Sequence, residues 1–172
     1  MYPYRSDCPA SLWRSLITKA RRELTFAGYT NYFLWLEQAQ FGGVLRRKAA
    51  QGCRVRFLVG NPDGELTRAR EGDEGVALTL STRIRVTLSE LERIRGQGVG
   101  ARFSDGHAHL SVFRFDDDMI VTPLLTHSVG HDAPTLHLRR HQDDGMFDRF
   151  AAHVEELWNR GAPVWEEANG QA

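Results

Sequence analysis

Lysine is nearly missing from this 172-residue sequence: Lys19 and Lys48 stand alone, and the other twenty of its 22 basic side chains are arginine. Genome composition explains such a bias without selection, yet it sets the available chemistry, because a guanidinium offers a fixed two-pronged fork suited to phosphate. Cysteine is as scarce. Cys8 and Cys53 are too few for a disulfide scaffold or a cysteine-built zinc site. Cys53 opens an apolar run, so a buried, inert thiol is expected there. Net charge is absent as well, with 22 Lys and Arg against 22 Asp and Glu. That balance argues against a coat for long nucleic acid or a polybasic membrane-surface protein. No apolar run approaches the ~18 residues of a membrane span. The opening residues, MYPYRSDCPASLW, lack the basic and apolar regions of a signal peptide, and a cytoplasmic protein is the expectation.

What is present is the composition of one folded domain, 41% hydrophobic and 26% charged, long enough to bury a real core. Helix and strand patterns alternate. Residues 11–22 carry Leu12, Leu16 and Ile17 at helical spacing behind Pro9. ELTFAGYT (23–30) reads as a strand, and Asn31 as the cap of a helix running to Ala50 and stopped by Gly52. CRVRFLVG (53–60) alternates as a strand, and NPDG (61–64) is a turn. A polar stretch over 65–95 places Leu80, Ile84, Leu88, Leu91 and Ile94 at three- and four-residue steps, which predicts helix with one packed face. Four short β patterns follow: VGARFS, HLSVFRF, MIVTPLL and TLHLRR. An amphipathic helix over 146–160 comes last. The sequence contains no internal repeat. The expectation is a single domain over 1–165 with a frayed tail at 166–172, parallel strands in the first half and antiparallel additions in the second.

This order, with VLRRKAAQG (44–52) at the end of the second helix and FDRFAAHVEELW (147–158) near the close, resembles phospholipase-D-like domains. The fold implied is an α/β phospholipase-D-like mixed sheet flanked by helices on both faces. More narrowly, GNPDG (60–64) followed by REGDEG (70–75) resembles the degenerate single-motif version found behind helix-turn-helix segments in bacterial regulators. The family signature is a His, a Lys two residues on, and an Asp after four more. Active members use one His as nucleophile and a second as acid, while each Lys neutralises phosphate oxygens, and two motifs meet at one site. His109 and Asp116 match that spacing, but Ser111 stands where the Lys belongs. The Gly-Ser-x-Asn element is replaced by Thr122, Pro123 and Leu124. Ser donates a hydrogen bond but carries no charge, so stabilisation of the transition state is weakened. Arg114 projects to the other strand face and does not replace the Lys. A second His would have to come from a homodimer partner.

These residues point away from catalysis. The expected function is a non-catalytic module binding a phosphate-bearing small ligand, a nucleotide or phosphorylated metabolite, in a sensing or regulatory role. Its expected site is the carboxyl ends of the strands. The candidate residues are Asn61, Asp63, Arg68, Arg70, Glu71, Glu74, Arg114, His137 and Arg139. His137 and Arg139 are expected to share a strand face with each other and a crevice with His109. A homodimeric phosphodiesterase using His109, with Ser111 and Asp116, is the first alternative; an interaction domain with a vestigial site is the second. His107, His109, Asp105, Asp116, Asp117 and Asp118 have the composition of a metal site. Solvated loop acids are the commoner arrangement, so neither metal nor cofactor is expected.

Overall fold

In a computed structural model of the protein, residues 1–73, 79–96, 98–125 and 130–165 are described. Strand β1 (Glu23–Ala27) is buried at every position, as befits a central strand covered on both faces. It pairs in parallel with β2 (Arg54–Val59), Phe26 opposite Phe57. Between them lie α2 (Tyr32–Glu37) and α3 (Phe41–Ala50), the crossover a parallel pair needs. β2 pairs in parallel with β3 (Val99–Phe103) after α4 (Glu65–Asp73) and α5 (Thr79–Arg93). On the other side β4 (Leu110–Phe115), β5 (Asp118–Pro123) and β6 (Leu136–Arg139) add antiparallel strands. With the two-residue β7 (Ala162–Pro163), the sheet order is β6-β5-β4-β1-β2-β3-β7. The fold class read from the sequence holds.

Two layers sandwich the sheet. Helix α1 (Ala10–Lys19) joins α2, α3 and part of α5 on one face, where Trp13, Leu16, Leu34, Phe41, Leu45 and Leu91 meet Phe26, Phe57, Phe113 and Phe115. Strand alternation sends Ala27, Leu58, Val112 and Val121 to the opposite face, under Phe147 and Val154 of α6 (Met146–Arg160). Each of the Val, Leu and Phe side chains, fully buried, contributes about 1.5–3 kcal/mol. Both cysteines are buried and free, and burial raises both thiol pKa values.

The helix expected over 31–50 is interrupted. Gln38 is extended and Gln40 is left-handed at φ 52°, so the chain breaks helix and restarts at Phe41. The stretch over 65–95 divides into α4 and α5; residues 74–78 lie outside the described residues, as does the tail at 166–172. Among the described residues, no helix is long and apolar enough to cross a membrane.

Candidate functional site

Beyond the carboxyl end of β1, Asn31 is 1% exposed and left-handed at φ 52°. It does not cap α2 with its side chain, contrary to the sequence expectation. The side chain instead accepts from the Gly28 N–H at 3.1 Å and donates to the Leu58 carbonyl at 2.9 Å. Those bonds lock the exits of β1 and β2 together. Tyr29 lies against Gly60, whose N–H donates to the Tyr29 carbonyl at 2.8 Å; a Cβ at Gly60 would overlap the phenol ring. The Tyr29 hydroxyl meets Thr67 Oγ1 at 2.8 Å and donates to Asp105 at 3.3 Å.

This turn forms one wall of a cleft of ≈ 270 Å³. Thr79, Leu80 and Arg83 of α5 and Arg70 of α4 supply a second wall, Ser111 and Phe113 of β4 with Thr122 of β5 the floor, and Arg5 with Gly130 and His131 the far rim. Three arginines and a histidine thus line the cleft, and no Asp or Glu is among the described lining residues. Each arginine lies over an aromatic ring: Arg5 over Phe33 at 3.9 Å, Arg70 over Tyr29 at 5.0 Å, Arg83 over Tyr32 at 5.9 Å. Arg70 also donates to the Ala108 carbonyl at 3.0 Å. Burial holds the Arg5 pKa below its ordinary value, with Glu37 opposing that shift and Arg83 adding to it.

Of the residues singled out from the sequence, Ser111 and Arg70 reach this cleft. His109 is exposed, one residue before β4, and is not among the lining residues. Asp116 lies at the opposite end of β4, left-handed at φ 52°. It accepts the backbone N–H groups of Arg21, Arg22 and Glu23 at 2.8–2.9 Å. Burial opposes ionisation there, but those bonds and Arg22 prevail and lower its pKa. Arg114 pairs with Glu23 at 3.2 Å and lies over Phe147, on the α6 face. Asn61 and Arg68 are exposed. Asp63 pairs with Arg85 at 2.6 Å, and Glu71 is buried, accepting the Ser81 N–H at 2.7 Å. Glu74 lies outside the described residues.

The shared crevice of His109, His137 and Arg139 is not formed. His137 and Arg139 lie on edge strand β6, opposite Ile120 and Asp118. Arg139 is exposed. Asp118 in turn faces Phe115, six residues beyond His109, or roughly 20 Å along the strand. His137 bonds Asp118 at 2.9 Å instead.

His107 is 1% exposed, with its ring 5.7 Å from that of Tyr29. The backbone of Gly28 and Leu58 runs beside it, but neither ring nitrogen makes a well-formed hydrogen bond. Burial lowers its pKa to about 4. No group of three or more His, Cys, Asp or Glu suited to a metal occurs among the described residues. Sequence reasoning missed Tyr29, Asn31, Arg5, Arg83 and His131. Asn-Tyr after a strand and a lone arginine near the start carry no periodicity or motif that would mark them.

A seven-stranded mixed sheet in this order, helices on both faces, is a phospholipase-D-like fold. The chain belongs to the family described as Domain of unknown function (DUF5919), whose model matches residues 8–165. No curated protein matches the chain. Among solved structures, it is similar to Nuc from Salmonella typhimurium, a phospholipase D family member, at 13% identity and TM-score 0.55, covering 91% of this chain and 90% of that one. It is also similar to TrmBL2, an archaeal chromatin protein described with a novel mode of DNA binding, at 10% identity and TM-score 0.56. That likeness covers 95% of this chain but 53% of TrmBL2, so the chain spans about half its length. At these identities the likeness establishes the fold.

Proposed function

We propose that the chain is a phospholipase-D-like module with a degenerate motif, which binds a phosphate-bearing small ligand in the β1-end cleft without cleaving it. One observation carries the reading: the described lining holds Arg5, Arg70, Arg83 and His131 with no carboxylate. Hydroxyls of Ser111, Thr122 and Thr79 add neutral donors. The chemistry for cleavage is poorly placed, since His109 is exposed outside the cleft and Ser111 brings no charge to a developing oxyanion. A sensing role in the cytoplasm, alone or as a homodimer, fits a binding site of this kind. The zero net charge weighs against DNA as the ligand.

The test is a thermal-shift panel of nucleotides and phosphorylated metabolites, followed by turnover of bis-p-nitrophenyl phosphate. A ligand at 100 times its Kd should stabilise the fold by roughly 2.7 kcal/mol, with no turnover. Turnover that vanishes in His109→Ala would overturn the reading and favour a phosphodiesterase.

A further inference from the structure

Arg5 and Arg83 differ from the other cleft cation. Arg70 is anchored on a backbone carbonyl, whereas neither Arg5 nor Arg83 makes an ion pair or hydrogen bond among the described residues. They lie over consecutive rings at the start of α2, Phe33 and Tyr32, so two guanidinium groups face the same end of the cleft. Arg5 is half-buried; the nearby Glu37 acts on it through space, but no Arg5–Glu37 contact within ion-pair distance is present among the described residues. Two like charges held together at a partly dry site destabilise each other until an anion arrives.

Arg5 also comes from outside the sandwich of helices and sheet. It sits in a strap formed by the first eight residues. Tyr2 exchanges backbone hydrogen bonds with Thr135 at 2.8 and 3.0 Å, and the Ser6 N–H donates to the His131 carbonyl at 3.1 Å. The strap therefore lies beside His131, itself a cleft residue.

Resting on the phosphate-binding reading above, we propose that Arg5 and Arg83 form the seat of a dianionic phosphomonoester, and that this ligand pins the N-terminal strap across the cleft. The charge count favours a monoester over a diester. A terminal phosphate carries roughly −1.5 to −2 at pH 7 and three free oxygens and can meet two forks at once, while a diester brings one charge and one fewer free oxygen. Bidentate arginine–phosphate contacts are among the stronger charge-assisted hydrogen bonds.

Titration of the full chain with methyl phosphate and with dimethyl phosphate tests this, because the two probes differ by one methyl group and one charge. Methyl phosphate should bind about tenfold tighter or better, and Arg5→Ala and Arg83→Ala should each remove that preference without lowering the melting temperature. Amide exchange at Ser6 should slow when methyl phosphate binds. Equal or tighter binding of dimethyl phosphate, abolished by Arg70→Ala, would overturn the monoester seat while leaving the phosphate cleft standing. Binding of neither probe at about 20 mM, a concentration that would nearly saturate even a site with a Kd of about 1 mM, would overturn both. A preference for methyl phosphate that survives Arg5→Ala and Arg83→Ala would remove these two residues from the seat.

Discussion

Arginine has two different roles on the two faces of this sheet. Beneath α6, Arg56 is 4% exposed and bonds both Glu23 and Glu155, with its guanidinium over Trp158. Arg114 and Arg54 approach the same Glu23 at 3.2 and 3.3 Å. Burial pushes the Glu23 pKa up, but Arg114 and Arg56 outweigh it, and the carboxyl ends below its ordinary value. Each of these charges has an opposite neighbour. At the cleft on the other side, Arg5 and Arg83 have rings beneath them and no carboxylate in ion-pair reach among the described residues. The first set fastens a helix to a sheet, and the second leaves positive charge unspent. Pairing, rather than residue type, separates structural arginine from candidate ligand arginine.

The largest effect should come from Arg56→Ala, which removes the most buried of the three arginines around Glu23 and the partner of Glu155, leaving Glu23 with the more exposed Arg114 and Arg54. A buried pair broken from one side costs about 3–5 kcal/mol, read as a shift in the urea midpoint; Arg83→Ala in the same assay should move stability by no more than about 0.5 kcal/mol. Comparable losses in the two variants would erase the distinction between the faces.

The next effect is set by pH. His107 has a folded-state pKa of about 4 against about 6.5 unfolded, so the unfolded chain takes up the proton first. Stability is therefore full above pH 6.5 and falls as pH drops toward 4, by roughly 2–3 kcal/mol between 6.5 and 4.5. The lowered carboxyls of Glu23 and Asp116 contribute stability that is full above their unfolded-state values and is lost as pH falls from there through their folded-state values. Thermal melts across that window should show the slope, and His107→Leu should flatten it; an unchanged slope would place its origin elsewhere.

Gly60→Ala should cost about 1–3 kcal/mol through overpacking against Tyr29, measured by urea unfolding, and should weaken phosphate binding because that ring forms the cleft wall. Wild-type stability and binding would mean that the wall yields freely. The smallest effect is assigned to Arg139→Ala. Its exposed place on the edge strand predicts a change within about 0.5 kcal/mol and unaltered ligand binding by calorimetry. Lost binding would return β6 to the site.

The fold was far more legible than the site. Strand alternation in CRVRFLVG and helical spacing in MFDRFAAHVEELWNR are local patterns that burial enforces directly, and β2 and α6 appear where they predict. The adjacent, parallel β1 and β2 follow from a helical crossover between two apolar strands. The break at Gln38–Gln40 was not legible, because neither glutamine is a helix breaker by type. Asn31 stands at the N-cap of α2 as the sequence predicts, but its side chain bridges two strand exits rather than capping the helix, a partner choice that depends on Leu58, 27 residues away.

The alternation of elements, the parallel core and an arginine-rich chemistry are all legible in local pattern and composition. Which arginines are left without a carboxylate partner depends on packing between distant segments. Arg5 is remote in sequence from Arg70 and Arg83, and a strap held by backbone bonds to Thr135 and His131 brings it to them. Arg139 and His137, expected beside His109, lie on β6, which the strand order places at the sheet edge. Periodicity reports which face of an element is buried; it is silent on which distant charges that burial brings together.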